Sequence, residues 1–230
     1  MRSRSLAQLA AGAAMAVAVT LPAQAEPYPA MAPLPAYLMP EADEVALARS
    51  AAPAAISDAA EVRVLRQDGY ATVATGTNGF VCLVERGWAG DSTFADYWNP
   101  RQRAPICFNH EAATTWLPVY LMRTKLVLAG KSRRDSLQAT AAAQDAGQLP
   151  AIAAGAMCYM MSRQQYLSDE DKAWHPHLMF FAPGDAAKAW GANLPGSPVI
   201  AANDPDERAT IFMIEAAHWS DGSPAPAAHH

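Results

Sequence analysis

The sequence predicts an α+β fold, a single domain in which an antiparallel sheet of about six strands carries helices on one face. Two observations favour this class. Apolar runs of strand length are separated by tight-turn residues, as in hairpins, and the longer helical segments are grouped between runs of strands instead of alternating with single strands. The succession of elements has a PAS-like or profilin-like order, which is an analogy at the level of the fold alone.

The first 25 residues predict a secretory signal peptide. Arg2 and Arg4 form a basic start, an uncharged Ala/Val/Leu run follows, and Ala23 and Ala25 give the small-x-small pattern that signal peptidase reads. The run is short for a membrane span, and no other stretch approaches about 18 apolar residues. We therefore expect a periplasmic or secreted protein with no membrane anchor after signal cleavage.

Composition excludes one class of partner. The 230 residues include 17 Lys or Arg and 22 Asp or Glu, for a formal net charge of −5. No basic block is available to bind phosphates, so nucleic acid is not an expected partner. The residues that follow the signal can bury one substantial core, and one domain is the simplest count.

The domain is expected to occupy residues 41–222. Residues 26–40 contain five prolines and predict an extended, partly disordered leader. The Pro/Ala-rich residues 223–230 predict a flexible tail.

Turn residues and apolar periodicity define the elements of the domain. Asp68-Gly69 predicts a hairpin turn, and the strand that follows Gly79 is apolar on both faces, which is typical of a central strand. Asn109 and Ser132 are suitable helix caps, and Pro118 should kink or divide the helix that begins after Asn109. In chain order we expect a helix at 41–50, strands at 61–66, 70–74 and 80–84, an aromatic-rich loop at 87–109, helices from 110 and at 132–146, and strands at 155–162, within 174–184 and at 210–214.

Three cysteines are consistent with an oxidising compartment, which allows one disulfide bond and leaves one thiol over. We predict the pair Cys82–Cys107, which would close a loop of about 25 residues and stabilise the fold by roughly 3–4 kcal/mol. Cys158 would then be a buried thiol that packs as a small apolar side chain. The alternative roles for Cys158 are a nucleophile or a soft metal ligand.

Histidines mark the candidate metal site. His175 and His177 are two residues apart, so on a strand both imidazoles would project from one face. If the last strand extends to Ser220, His218 could lie alongside them. Three neutral imidazoles suit Zn²⁺ or Cu²⁺ and leave an open position for water. The alternative is that one histidine hydrogen-bonds in the core and another lies at the strand end.

Aromatic and polar side chains near the histidines predict a small-ligand pocket, although they could equally pack at the edge of the core. The candidate ligand-binding residues are Trp174, Tyr159, Trp219 and Asp221. Charged residues next to apolar runs leave two interpretations open, a buried pair or solvent-facing side chains. These are Glu85, Arg86 and Arg123.

Two other functions remain as alternatives to a binding module. A hydrolase would use a histidine base with Ser197, Ser220 or Cys158 as the nucleophile. The sequence contains no G-x-S-x-G elbow, no H-E-x-x-H motif and no phosphate-binding glycine loop to support it. The other alternative is a disulfide-braced structural or interaction domain without a small-molecule site.

Three segments taken together resemble a group of uncharacterised exported bacterial proteins. The segments are Gly76-Thr77-Asn78-Gly79-Phe80-Val81-Cys82, Trp174-His175-Pro176-His177-Leu178-Met179-Phe180 and His218-Trp219-Ser220-Asp221-Gly222. The resemblance extends from about residue 41 to residue 226. That group has no established activity, so the resemblance implies a single domain and assigns no catalytic role.

Overall fold

Eight strands form one sheet in the computed structural model, which describes residues 27–226. The strands are β1 (Glu61–Arg66), β2 (Gly69–Ala74), β3 (Val81–Glu85), β4 (Ala104–Phe108), β5 (Met157–Met160), β6 (His177–Pro183), β7 (Val199–Asp204) and β8 (Ala209–Glu215). Their order across the sheet is β2-β1-β3-β4-β5-β6-β8-β7. The predicted signal peptide and the last four residues lie outside the described range.

The α+β class is confirmed, but the predicted antiparallel sheet of about six strands is wrong, because the sheet is mixed and has eight strands. Strands β1 and β3 run parallel, with Glu61 opposite Val81. The reason is that β2 ends beside the start of β1, at the Val62–Ala74 pair, so the chain enters β3 from the same end as β1. At this crossing a Cβ on Gly76 would lie 2.2 Å from the Glu61 nitrogen, so a glycine is required there.

Helices cover both faces of the sheet, so the prediction of helices on one face is also wrong. The helices are α1 (Glu41–Arg49), α2 (Ala54–Ser57), α3 (His110–Thr115), α4 (Leu117–Leu128) and α5 (Arg133–Asp145). Strand β3 separates two cores because its successive side chains alternate between faces. Cys82 and Val84 pack with α1, whereas Val81 and Leu83 belong to the larger core that α3, α4 and α5 cover.

The predicted helix caps are confirmed. The Asn109 side chain accepts a hydrogen bond from the Ala112 amide at the start of α3. The Ser132 hydroxyl accepts one from the Asp135 amide at the start of α5. Pro118 lies in the first turn of α4, where its missing N–H costs no helical hydrogen bond, and it separates α3 from α4 as expected.

Residues 27–40, the segment predicted to be an extended and partly disordered leader, pack on the larger core in the structure. Tyr37 is fully buried, and its hydroxyl donates to the Trp98 carbonyl at 2.7 Å. Nearer the start of the described chain, the Tyr28 hydroxyl donates to the Asp169 carboxylate at 2.5 Å. The expected extended course is interrupted by a short 3-10 helix at Leu34–Ala36, and apolar side chains between the prolines reach the core.

The predicted Cys82–Cys107 pairing is confirmed. The two residues lie directly opposite each other on β3 and β4, with their Cα atoms 4.0 Å apart and their sulfur atoms at disulfide-bonding distance. Cys158 is fully buried in the larger core, and burial raises the pKa of its thiol well above the usual value. Its surroundings therefore match a packed thiol and do not favour a nucleophile.

A buried ion pair ties α1 to the sheet. The Arg86 guanidinium donates to the Glu44 carboxylate at 2.8 Å, and both side chains are almost completely buried. Arg86 also donates to the carbonyl of Tyr37, while the Leu65 amide donates to Glu44. These bonds link the N-terminal segment, α1, β1 and the end of β3. The open question about Arg86 is thus resolved in favour of a buried pair.

No helix among residues 27–226 combines the length and the apolar character that crossing a membrane requires.

Candidate functional site

His177, one of the three histidines of the predicted metal site, is a core residue. Its side chain is buried, and ring nitrogen Nδ1 lies 2.7 Å from the carbonyl oxygen of His175. The ring packs edge-on against Trp174, with 4.6 Å between ring centroids. Burial lowers the pKa of the imidazole, so the neutral form is favoured in the folded protein. His177 therefore matches the alternative to a metal site, in which one histidine forms a hydrogen bond in the core.

The three histidines do not form the predicted metal site. Strand β6 begins only at His177, so His175 precedes the strand and the same-face argument does not apply to it. His218 lies beyond the end of β8 in an exposed turn, where it forms an isolated bridge with Pro224. Within residues 27–226 no group of three or more His, Cys, Asp or Glu side chains could hold a metal ion.

The predicted ligand-binding residues are dispersed. Tyr159 packs against Phe80 on the α1 side of the sheet, with ring centroids 6.1 Å apart. Asp221 accepts hydrogen bonds from the amide and hydroxyl of Ser223, and these bonds lower the pKa of its carboxyl. It therefore stabilises a turn. Trp174 covers His177, and the Trp219 amide donates to the Ser223 carbonyl.

The nucleophiles proposed for a hydrolase are also engaged elsewhere. The Ser220 hydroxyl donates to the Ser50 carbonyl at 2.6 Å. The Ser197 hydroxyl lies in the loop before β7, where it accepts from the Val199 amide. Neither hydroxyl is paired with a histidine in these bonds, and the geometry offers no support for the hydrolase.

A cavity of about 290 Å³ lies between the sheet and α4. Its walls are mainly apolar and come from β3, β4, β5, β6, β8, α4 and the three loops 86–103, 161–176 and 205–208. The side chains that line these walls include Phe94, Ile106, Trp116, Val119, Phe181 and Ile211. Trp116 stacks on Phe181 with 4.2 Å between centroids and an interplanar angle of 15°. Mainly apolar concave sites of this kind are the usual location of small-molecule binding.

Strand and helix periodicities bring charged side chains to this cavity. Glu85 is two residues beyond Leu83 on β3, so it shares the face that packs against α4. On the helical side, Trp116, Val119, Tyr120 and Arg123 have the i, i+3, i+4, i+7 spacing of one helix face. Both spacings are visible in the sequence, and they are the signal that could have identified this site.

Glu85 is the distinctive group of the cavity. The residue is only 8% exposed, and no group among residues 27–226 forms a hydrogen bond or an ion pair with its carboxyl. Burial raises the pKa of Glu85 to about 8, and the nearby positive charge of Arg123 opposes this effect. A buried carboxyl with a strongly raised pKa in an apolar cleft is typical of a functional site.

Arg123 does not neutralise Glu85, because it is paired with another carboxylate. Its guanidinium forms an ion pair with Glu207, which lies in the loop between β7 and β8, and both side chains are buried. A further guanidinium nitrogen donates to the Trp88 carbonyl at 3.3 Å. Of the two interpretations left open for Glu85 and Arg123, burial is therefore correct, but the two do not form a salt bridge with each other.

Several polar atoms of the cavity-lining residues are buried and have no hydrogen-bond partner among residues 27–226. They are Oε1 of Gln102, Nε of Arg123 and Oε2 of Glu207. An unpaired buried polar group costs about 1–3 kcal/mol. The residues that carry these atoms, together with Glu85, give an apolar cavity a small set of polar side chains that can orient a bound molecule.

The chain matches no protein-family model, no curated protein and no solved structure. The functional argument therefore depends on the cavity and on the side chains that line it.

Proposed function

We propose that this protein is an exported binding module that holds a small, mainly apolar molecule in the cavity beside Glu85. The observation that carries the proposal is the unpaired Glu85 carboxyl inside an apolar cavity. A carboxyl in that position is unfavourable for folding unless something else requires it, since an apolar residue of similar size would avoid the cost of desolvation.

The size of the cavity limits the ligand. One water molecule occupies about 30 Å³ in the liquid. The cavity of about 290 Å³ therefore accommodates a molecule of about ten non-hydrogen atoms. A single aromatic or branched aliphatic body with one polar group is of suitable size. The aromatic side chains of Trp116 and Phe181 favour such a body through contact area and ring stacking.

Export is the second part of the proposal. It is supported by the basic and apolar N-terminal sequence and by the cysteine pair at disulfide-bonding distance, since disulfide bonds persist in oxidising compartments. Expression of the full chain in a bacterial host tests it. We expect the protein in the periplasmic fraction or the medium, with a mature mass that corresponds to cleavage after Ala25. A chain that stays in the cytoplasm with residues 1–25 intact would contradict this part.

Thermal unfolding with and without benzene tests the cavity as a binding site. Benzene is a suitable probe because dry apolar cavities bind it. Binding at one hundred times the dissociation constant stabilises a protein by about 2.7 kcal/mol. We expect benzene to raise the melting temperature of the purified, untagged protein in a concentration-dependent way.

The matched variants are two Ala→Leu substitutions. Ala89 lines the cavity and is partly buried, so Ala89→Leu fills part of the binding volume. Ala142 lies on the exposed side of α5, so Ala142→Leu adds the same atoms outside the cavity. The benzene effect should disappear in the first variant and persist in the second. An equal benzene effect in both variants, or none in the parent protein, would overturn the proposed function.

A further inference from the structure

We propose that the ligand of this cavity is an organic cation, a protonated amine on a small apolar body, whose ammonium group pairs with Glu85. The inference rests on the proposed function and specifies the ligand class of the same site. It follows from the balance of hydrogen-bond donors and acceptors, from the charges around Glu85 and from the aromatic walls.

Acceptors outnumber donors among the unpaired groups of the cavity-lining residues. Among residues 27–226, Gln102 and Glu207 each contribute one unpaired oxygen, whereas Nε of Arg123 is the single unpaired donor of this set. Once ionised, Glu85 adds two carboxyl oxygens that only accept hydrogen bonds. An ionised carboxylate only accepts hydrogen bonds, and an ammonium group only donates them, through three N–H bonds. A donor-rich ligand therefore satisfies more of these groups than an acceptor-rich ligand does.

The charges around Glu85 also favour a cation. The Arg123–Glu207 pair is neutral as a unit, so an ionised Glu85 would give the cavity one uncompensated negative charge. Burial raises the pKa of the nearby Tyr70 and Tyr120 hydroxyls and of the Cys158 thiol well above their usual values, so these three groups are uncharged at neutral pH. The charge of the adjacent Arg86 is compensated by Glu44. A positive charge on the ligand would compensate Glu85 without disturbing the existing ion pair.

Aromatic rings provide a second favourable contact for a cation. Trp116, Phe94, Tyr120 and Phe181 all line the cavity. A cation within about 6 Å of an aromatic face is attracted by the negative face of the ring, most strongly at desolvated sites. The same rings pack against an apolar body, so one small molecule can use both properties of the wall.

Binding of the cation should release one proton from Glu85, and this release can be measured. Because burial raises the pKa of Glu85 to about 8, the carboxyl of the free protein is mainly protonated at pH 7. The amine enters as its ammonium ion, the Glu85 O–H bond breaks, and the proton passes to solvent. The carboxylate then pairs with the ammonium group. No oxidant, reductant or covalent step is involved.

Three probes of nearly equal shape test the ligand class by calorimetric titration at pH 7. They are 2-phenylethylamine as the cation, 2-phenylethanol as the neutral analogue and phenylacetate as the anion. We expect the amine to bind about tenfold more tightly than the alcohol, because a hydrogen bond between two charged groups is stronger than one to a neutral group. Phenylacetate should bind least.

Two Glu→Gln variants complete the experiment. Glu85→Gln should abolish the preference for the amine and retain binding of the alcohol, whereas Glu170→Gln, at an exposed loop position, should leave both affinities unchanged. In the unaltered protein, titrations in buffers of different ionisation enthalpy should show release of about one proton per amine bound. This readout does not depend on whether a variant folds.

The outcomes separate the ligand class from the site. Three results would overturn the inference about the ligand class: equal affinity for amine and alcohol, a preference for phenylacetate, or amine binding without proton release. If benzene binds, the proposed function as a binding module still holds in each of these cases. If benzene and all three probes fail to bind, the proposed function fails together with the inference.

Discussion

Glu85 and Arg123 line the same cavity from opposite walls, yet the Arg123 guanidinium pairs with Glu207, and the Glu85 carboxyl has no ion-pair partner among residues 27–226. Glu85 ends β3 and Arg123 lies on the facing side of α4. A direct pair between them would have neutralised both charges and closed the site. The observed arrangement instead places one uncommitted carboxyl in a mainly apolar space, and it has consequences for stability as well as for binding.

Stability should fall as the pH rises through the range in which Glu85 titrates. The pKa of Glu85 is about 8 in the folded protein, against 4.5 for an unperturbed glutamate, so the folded state holds this proton more tightly than the unfolded state. The unfolding free energy should therefore decrease by up to about 1.4 kcal/mol per pH unit between these two values. Below this range the effect is absent, and above it the loss is complete.

The variant Glu85→Gln should remove this dependence. Urea unfolding at several pH values should show a flatter profile than that of the parent protein and higher stability at pH 8. Glu170→Gln is the matched control, since Glu170 is exposed. Parallel profiles for the parent and Glu85→Gln would mean that Glu85 ionises at its ordinary pH in the folded protein.

His177 should contribute an opposite dependence at acidic pH. Burial lowers its pKa below 6.5, so the unfolded state binds a proton that the folded state resists. Stability is then complete above pH 6.5 and falls as the pH drops toward the folded value. His177→Gln should reduce this acid sensitivity, whereas His218→Gln, in an exposed turn, should not. Equal effects of the two substitutions on unfolding between pH 5 and 7 would contradict a core role for His177.

The Glu44–Arg86 pair should be far more important for stability than the exposed pair on the same helix. Glu44→Ala leaves the Arg86 charge buried without its partner, so we expect a loss of about 3–5 kcal/mol in urea unfolding. Glu41 pairs with Arg66 at the surface, and Glu41→Ala should cost less than about 1 kcal/mol. Similar losses in both variants would show that the buried pair has no special role.

The cysteine pairing predicts a specific thiol count. Denatured, unreduced protein should react with one equivalent of a thiol reagent, through Cys158, because Cys82 and Cys107 are bonded to each other. In the native protein this thiol should be unreactive, since it is fully buried and burial raises its pKa. Three reactive thiols after denaturation would disprove the bridge.

Much of the local structure could be predicted from the sequence, because caps, turns and strand periodicity act over a few residues. Asn109 and Ser132 cap their helices as expected, and Cys82 pairs with Cys107. Strand β4 could not be predicted, since Pro105 and the preceding aromatic loop mask its apolar run. The mixed sheet depends on where β2 ends relative to β1, which is a tertiary property that no local pattern encodes.

The candidate site could not be predicted from the sequence as readily as the caps. Histidine spacing indicated a metal site, whereas the cavity depends on charged residues that are buried. The spacing of His175 and His177 predicted a metal site on one face of a strand. Strand β6 begins only at His177, so the two side chains do not share a strand face. Glu85 and Arg123 stand at positions whose periodicity indicates burial, and the general tendency of charges to face solvent outweighed that signal. The choice of Glu207 as the partner of Arg123 depends on a loop distant in sequence and could not be predicted.

Titration of the Glu85 side-chain carboxyl carbon by NMR, with and without 2-phenylethylamine, is the most direct measurement. Comparison with Glu85→Gln assigns the signal. We expect a titration midpoint near pH 8 in the free protein and an ionised carboxyl at pH 7 once the amine is bound. A midpoint near 4.5 that the amine leaves unchanged would contradict both the buried state of Glu85 and its role as the ligand's partner.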